Sequence, residues 1–185
     1  MSVLKPKRNI SHTEYIQISR EILKCSIQFV SRLSARYSRL LASSVSNLAC
    51  ELVSCCVKAD NSFPSNYESA KMRELYIIKA TGALKSLDVM LVAVYDILML
   101  NPEGAFSKKG GDSIPKREAI EKLDRMCENI GGLINKELDI LGGIRRSAHS
   151  KVKQFEPSKC EYVFTESEQL EGQIGISNFE FELKI

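Results

Sequence analysis

From Thr13 to Asp60 the chain contains neither glycine nor proline, and apolar side chains recur at Tyr15, Ile18, Ile22, Cys25, Phe29 and Leu33. Alternating steps of three and four place them on one face of a first helix. A second stripe follows through Leu41, Val45, Leu48, Leu52 and Cys55. Ser38 is a candidate cap for this second helix, because a serine oxygen accepts an N–H left unpaired in a first turn. No breaker stands near Ala35, so one continuous helix is a physical alternative. Two are expected, since a single rod with a one-sided stripe needs an equally long partner to cover it.

The run Asn61-Ser62-Phe63-Pro64-Ser65-Asn66 reads as a loop. A third helix is expected to bury Leu75, Ile78, Leu84, Leu87, Leu91, Val94 and Leu98, with Gly82 at a stripe position that admits close approach of a neighbour. It ends before Asn101-Pro102. Residues 103–114 hold three glycines and Lys108-Lys109 and read as a mobile basic loop. Pro115 suits the first turn of a fourth helix with stripe Ile120, Leu123, Cys127, Ile130, Ile134, Leu138 and Leu141, ended by Gly142-Gly143. Four such helices bury their stripes most simply as an all-α, antiparallel up-and-down four-helix bundle. The bundle should span residues 13–146, after an N-terminal extension of residues 1–12.

Residues 147–185 differ in kind, forming a linker and an acidic, β-prone tail. The chain closes on Phe179-Glu180-Phe181-Glu182-Leu183-Lys184-Ile185, a strict apolar/charged alternation. Period two predicts a strand with Phe179, Phe181, Leu183 and Ile185 on one face. Because a lone hairpin is marginal in water, that face is expected to bind a protein partner.

Length and charge narrow the class. At 185 residues the chain suits one compact domain with appendages, and its net charge of +3 announces no partner. Its distribution says more: residues 1–155 hold 24 basic and 16 acidic side chains, net +8, whereas 156–185 hold 2 and 7, net −5. Six cysteines do not read as a disulfide framework, because Cys50, Cys55 and Cys56 fall on one apolar-periodic stretch. Five of the six, Cys25, Cys50, Cys55, Cys56 and Cys127, read as small core side chains of a reduced, cytoplasmic protein. Residues 1–10 have no following apolar segment, and the apolar run Val89–Leu100 is interrupted by Asp96, so neither a leader nor a membrane partner is expected.

Catalytic signatures are missing from the sequence. Cys50-x₄-Cys55-Cys56 departs from zinc spacing, so no metal and no cofactor are expected. The loop Gly104–Ser113 lacks the residue order of a phosphate-cradling loop. Both Arg145-x₃-His149 and Arg8-x₃-His12 have one intervening residue too few for the Arg-x₄₋₆-His motif of helical HEPN ribonucleases. No catalytic residue is assigned. Glu51, Asp88 and Asp96 read as acids at the edge of the core or paired across helices. What remains is basic: Arg20, Lys24, Arg32, Arg36 and Arg39 around the first two helices, and Lys71, Arg73, Lys79 and Lys85 on the third. These nine are the candidate nucleic-acid-binding residues.

Two segments carry a family resemblance. Tyr76-Ile-Ile-Lys-Ala-Thr-Gly-Ala-Leu-Lys-Ser-Leu-Asp-Val-Met-Leu91 resembles the third-helix signature of a bacterial four-helix-bundle family, and Leu40-Leu-Ala-Ser-Ser-Val-Ser-Asn-Leu-Ala-Cys-Glu51 is similar to its second helix. The family comprises proteins encoded in intervening sequences of 23S ribosomal RNA genes and the accessory variability determinants (Avd) of diversity-generating retroelements. The resemblance spans about residues 13–145. It implies a non-enzymatic, basic homo-oligomer, a pentamer in the known relatives. In the retroelement branch it further implies a reverse transcriptase and structured RNA as partners in cDNA synthesis. The other branch implies a self-assembling bundle with no reverse transcriptase partner.

Overall fold

A computed structural model describes residues 14–106 and 114–156. The N-terminal extension, the Lys108-Lys109 pair and the strand-like segment with Phe179, Phe181, Leu183 and Ile185 all lie outside the described residues. Four helices follow one another: α1 (Glu14–Val30), α2 (Ala35–Asn61), α3 (Tyr67–Leu100) and α4 (Lys116–Phe155). Each packs on its neighbours in the sequence, and α4 closes the ring against α1, leaving α1 and α3 on a diagonal. Cross-helix pairs set the directions. Tyr95 meets Asp124 and Glu74 meets His149, so α3 and α4 run antiparallel. Cys25 with Asn129 and Glu14 with Lys136 give the same relation for α1 and α4. The fold is the expected all-α bundle.

Local chemistry explains the boundaries. Between α1 and α2 the cap is Ser34 rather than Ser38, whose N–H already donates to the Ser34 carbonyl at 2.9 Å, one turn inside the helix. Asn66 opens α3 with a reciprocal box: its side chain accepts from the Ser69 N–H at 2.8 Å, and the Ser69 hydroxyl accepts from the Asn66 N–H at 3.1 Å. The segment after α3 begins with a 3₁₀ turn, Gly104–Phe106, rather than an open loop. Phe106 there takes the Arg32 guanidinium over its ring at 5.0 Å.

Two expectations are corrected by packing. Gly142-Gly143 does not end α4, which continues to Phe155 and so passes the expected domain boundary at 146. The compact helical unit likewise closes at Phe155. Each helical glycine costs about 1 kcal/mol relative to alanine, but neither takes a left-handed conformation. Burial of Ala148 and the His149–Glu74 contact at 2.9 Å hold the extra turns against α3.

The second correction concerns α3. Leu75 and Ile78 are 41% and 40% exposed, while Ala70, Ile77 and Ala80 occupy the core beside Leu84, Leu87, Leu91, Val94 and Leu98. Gly82 also faces outward, with no atom within 4 Å of where a Cβ would stand. The expected stripe had joined two different faces of one helix, because α3 is apolar on both. On α4 the fully buried positions include Ala119 and Glu137, while Ile120 and Leu138 are only half-buried.

The core is continuous across all four helices, with Phe29, Ile22, Leu52, Leu84, Leu87, Leu123 and Leu141 fully buried. Each such side chain contributes roughly 1.5–3 kcal/mol by leaving water. Cys55 and Cys56 are buried as expected, Cys25 and Cys127 are half-buried, and Cys50 is exposed and not a core residue. By length and composition α2 is apolar enough to cross a membrane, a property the sequence reading did not assign to it. In the bundle its Val45, Ala49, Leu52, Cys55, Cys56 and Ala59 are buried in the core, and its exposed face is made of residues such as Ser43, Asn47, Glu51 and Lys58.

Candidate nucleic-acid interface

The helix order separates the nine basic candidates into groups. Arg20 and Lys24 stand one turn apart on the exposed side of α1, and Arg32 lies just beyond its C-terminus. Arg36 and Arg39 occupy the first turns of α2, all exposed. Lys71, Lys79 and Lys85 are exposed along α3, and Arg73 is half-buried. Arg20 and Lys24 on α1 lie diagonally across the bundle from Lys71, Arg73, Lys79 and Lys85 on α3, whereas Arg36 and Arg39 belong to α2, which packs on both. Arg20, Lys24, Arg32, Arg36 and Arg39 form the larger group, running along α1 and across the turn into α2.

Electrostatics favour that group. The first turn of α2 holds no acidic residue, so its partial positive charge adds to Arg36 and Arg39 and is not offset. The Ser34 side chain makes no capping hydrogen bond. Within the group, among the described residues, only Lys24 is in an ion pair, with Glu21 at 3.6 Å, and both partners are more than half exposed. Such a pair is worth little and yields readily to a stronger anion. Arg32 stays exposed while its guanidinium lies on Phe106, which narrows the orientations it samples.

The acids assigned to the core edge behave differently. Glu51, Asp88 and Asp96 are exposed, and none is in an ion pair among the described residues. The interior acid is Glu137, fully buried in α4. One of its carboxylate oxygens faces the Cys56 thiol at 3.6 Å, and the other has no hydrogen-bond partner among the described residues. Burial pushes its pKa up to about 8, and the charge of Glu14 adds to the rise. Burial also raises the Cys56 thiol, with the Glu137 charge contributing, so that sulfur stays protonated. The signal for Glu137 was present in the sequence: Ile130, Ile134, Glu137 and Leu141 keep steps of four, three and four. Preferring Leu138 at that step hid it.

His149 lies inside α4 rather than at an element end, and its Nδ1 meets the Glu74 carboxylate at 2.9 Å. Among the described residues no three His, Cys, Asp or Glu side chains cluster as metal ligands. A cleft of about 350 Å³ between α3 and α4 combines Phe29, Leu91 and Ile134 with Asp88, Asp124 and Glu128. Its acids make it unsuited to phosphate. No protein-family model, curated protein or solved structure matches this chain.

Proposed function

We propose that this bundle is a non-enzymatic accessory protein that binds structured RNA together with a reverse transcriptase, supporting cDNA synthesis in a diversity-generating-retroelement-like system in the cytoplasm. The observation that carries the reading is the exposed cationic run from Arg20 through Lys24, Arg32 and Arg36 to Arg39, largely without acidic partners among the described residues. Side chains of this kind contact phosphates without base specificity. They suit a protein that holds an RNA recognised mainly by its fold. The third-helix and second-helix likenesses supply the reverse transcriptase, and a pentamer of subunits, as expectations. Phe179, Phe181, Leu183 and Ile185, with the acids between them, are the segment offered to the protein partner. Lys71, Arg73, Lys79 and Lys85 provide a second phosphate-binding surface if several subunits surround one RNA.

A second reading, a self-assembling structural bundle of the ribosomal intervening-sequence type, is favoured by the exposed apolar face of α3. Purification of the tagged chain from its native host discriminates between them. Recovery of a reverse transcriptase with nuclease-protected RNA supports the first reading. Recovery of the chain alone, in assembled form, supports the second.

A further inference from the structure

Beyond the seam it buries, α3 carries another. From Lys71 to Asp96 exposed residues recur in alternating steps of four and three, the spacing of a coiled-coil contact line. Val89 and Val92 are 69% and 57% exposed, and the end near Lys71 and Leu75 borders a groove of about 550 Å³. Nothing among the described residues covers this line, and Gly82 at its middle leaves open space where a side chain would be.

The line complements its own reverse. α3 runs from Tyr67 to Leu100, so its midpoint lies between Ala83 and Leu84. An antiparallel copy of the helix centred there sets Lys71 against Asp96, Leu75 against Val92, Ile78 against Val89, and Gly82 against the stem of Lys85. Cations meet anions at both ends, apolar side chains meet between them, and the glycine admits the lysine stem at the centre. Neither Lys71 nor Asp96 is in an ion pair among the described residues; the Lys71 ammonium rests 5.5 Å from the centre of the Tyr67 ring. A parallel, in-register pair would instead set Lys71 on Lys71 and Asp96 on Asp96.

We propose that two copies of this chain pair antiparallel through the outer face of α3, about a two-fold axis at the midpoint of the helix. The contact is isologous and closes at two subunits, so a ring of five needs a different, head-to-tail surface. The inference goes beyond the RNA reading and stands without it; in the paired state Lys71 and Lys85 belong to the contact, which leaves Arg73 and Lys79 of the α3 set for phosphate.

The test uses the full chain under reducing conditions, which keeps the exposed Cys50 from forming covalent dimers. Mass is measured by light scattering over a concentration series, and RNA affinity is read separately. The wild type is expected to dimerise. Lys71→Glu and Asp96→Lys each convert both ends of the contact to like charges, and each is expected to weaken dimerisation roughly tenfold. An equimolar mixture of the two variants restores opposite charges at both ends and recovers wild-type affinity. Val89→Glu should abolish pairing with helicity by circular dichroism unchanged, as the site is exposed. A wild type that stays monomeric overturns the proposal. So does a mass, five-subunit or otherwise, that ignores the charge reversals, or a mixture no tighter than its components. Because Asp96→Lys leaves every basic candidate in place, loss of pairing with RNA binding retained separates this proposal from the functional one.

Discussion

Glu137→Gln is expected to stabilise the fold above pH 8 and to flatten its dependence on pH. In the folded chain the Glu137 pKa is pushed up to about 8 from an ordinary value of 4.5. Between those values the unfolded chain has lost the proton and the folded chain still holds it, so stability falls as pH rises through that window and levels off above it. A raised carboxylate works in this direction; a depressed one would give the reverse. A shift of this size corresponds to a loss on the order of 4 kcal/mol between pH 4.5 and 8. Glutamine keeps the shape and carries no charge, so the variant and the wild type should differ little near pH 4.5, diverge progressively as pH rises to 8, and keep a constant gap above it. Urea unfolding at intervals from pH 4.5 to 9 checks this. Equal slopes for the two proteins would show that Glu137 is not the titrating group.

Phe29→Ala is expected to destabilise the bundle by about 3–5 kcal/mol, because the ring is fully buried and the surrounding helices relax only in part around its loss. Phe29 is 1% exposed and is among the largest fully buried side chains. It holds the C-terminal half of α1 in place, and with it Lys24 and Arg32. Thermal melting should fall by on the order of 10 °C for a unit of this size. A fall of under 2 °C would mean that α1 is anchored elsewhere.

How much of this was legible in the sequence depended on how one-sided each helix is. On α1 and α2 the apolar stripe has one solution, and Ile18, Ile22, Phe29, Val45, Leu52 and Cys55 are buried as their spacing requires. On α3 two apolar faces coexist, so spacing alone could not choose between Ile77 and Ile78, and only the neighbouring helices decide it. Glu137 was hidden for the opposite reason, since a stripe defined by apolar residues steps over an acid. The end of α4 was misread because Gly142-Gly143 has the composition of a stop, yet the contact with α3 outweighs the cost of two glycines in a helix. The basic candidates other than the half-buried Arg73 were legible as exposed side chains. Their division between the α1–α2 turn and α3 was not, because the order of helices around the bundle is a tertiary fact.

That division makes the α1–α2 group the place to probe the RNA-binding role. Affinity for a structured RNA, measured by fluorescence anisotropy between 50 and 200 mM monovalent salt, should fall about a hundredfold, the response of roughly four neutralised phosphates. Arg32, Arg36 and Arg39 changed together to glutamine should weaken binding at 50 mM salt and lower the salt slope in proportion. Binding that is absent at 50 mM salt, or that varies less than threefold over the range, would contradict an RNA-binding role for this bundle.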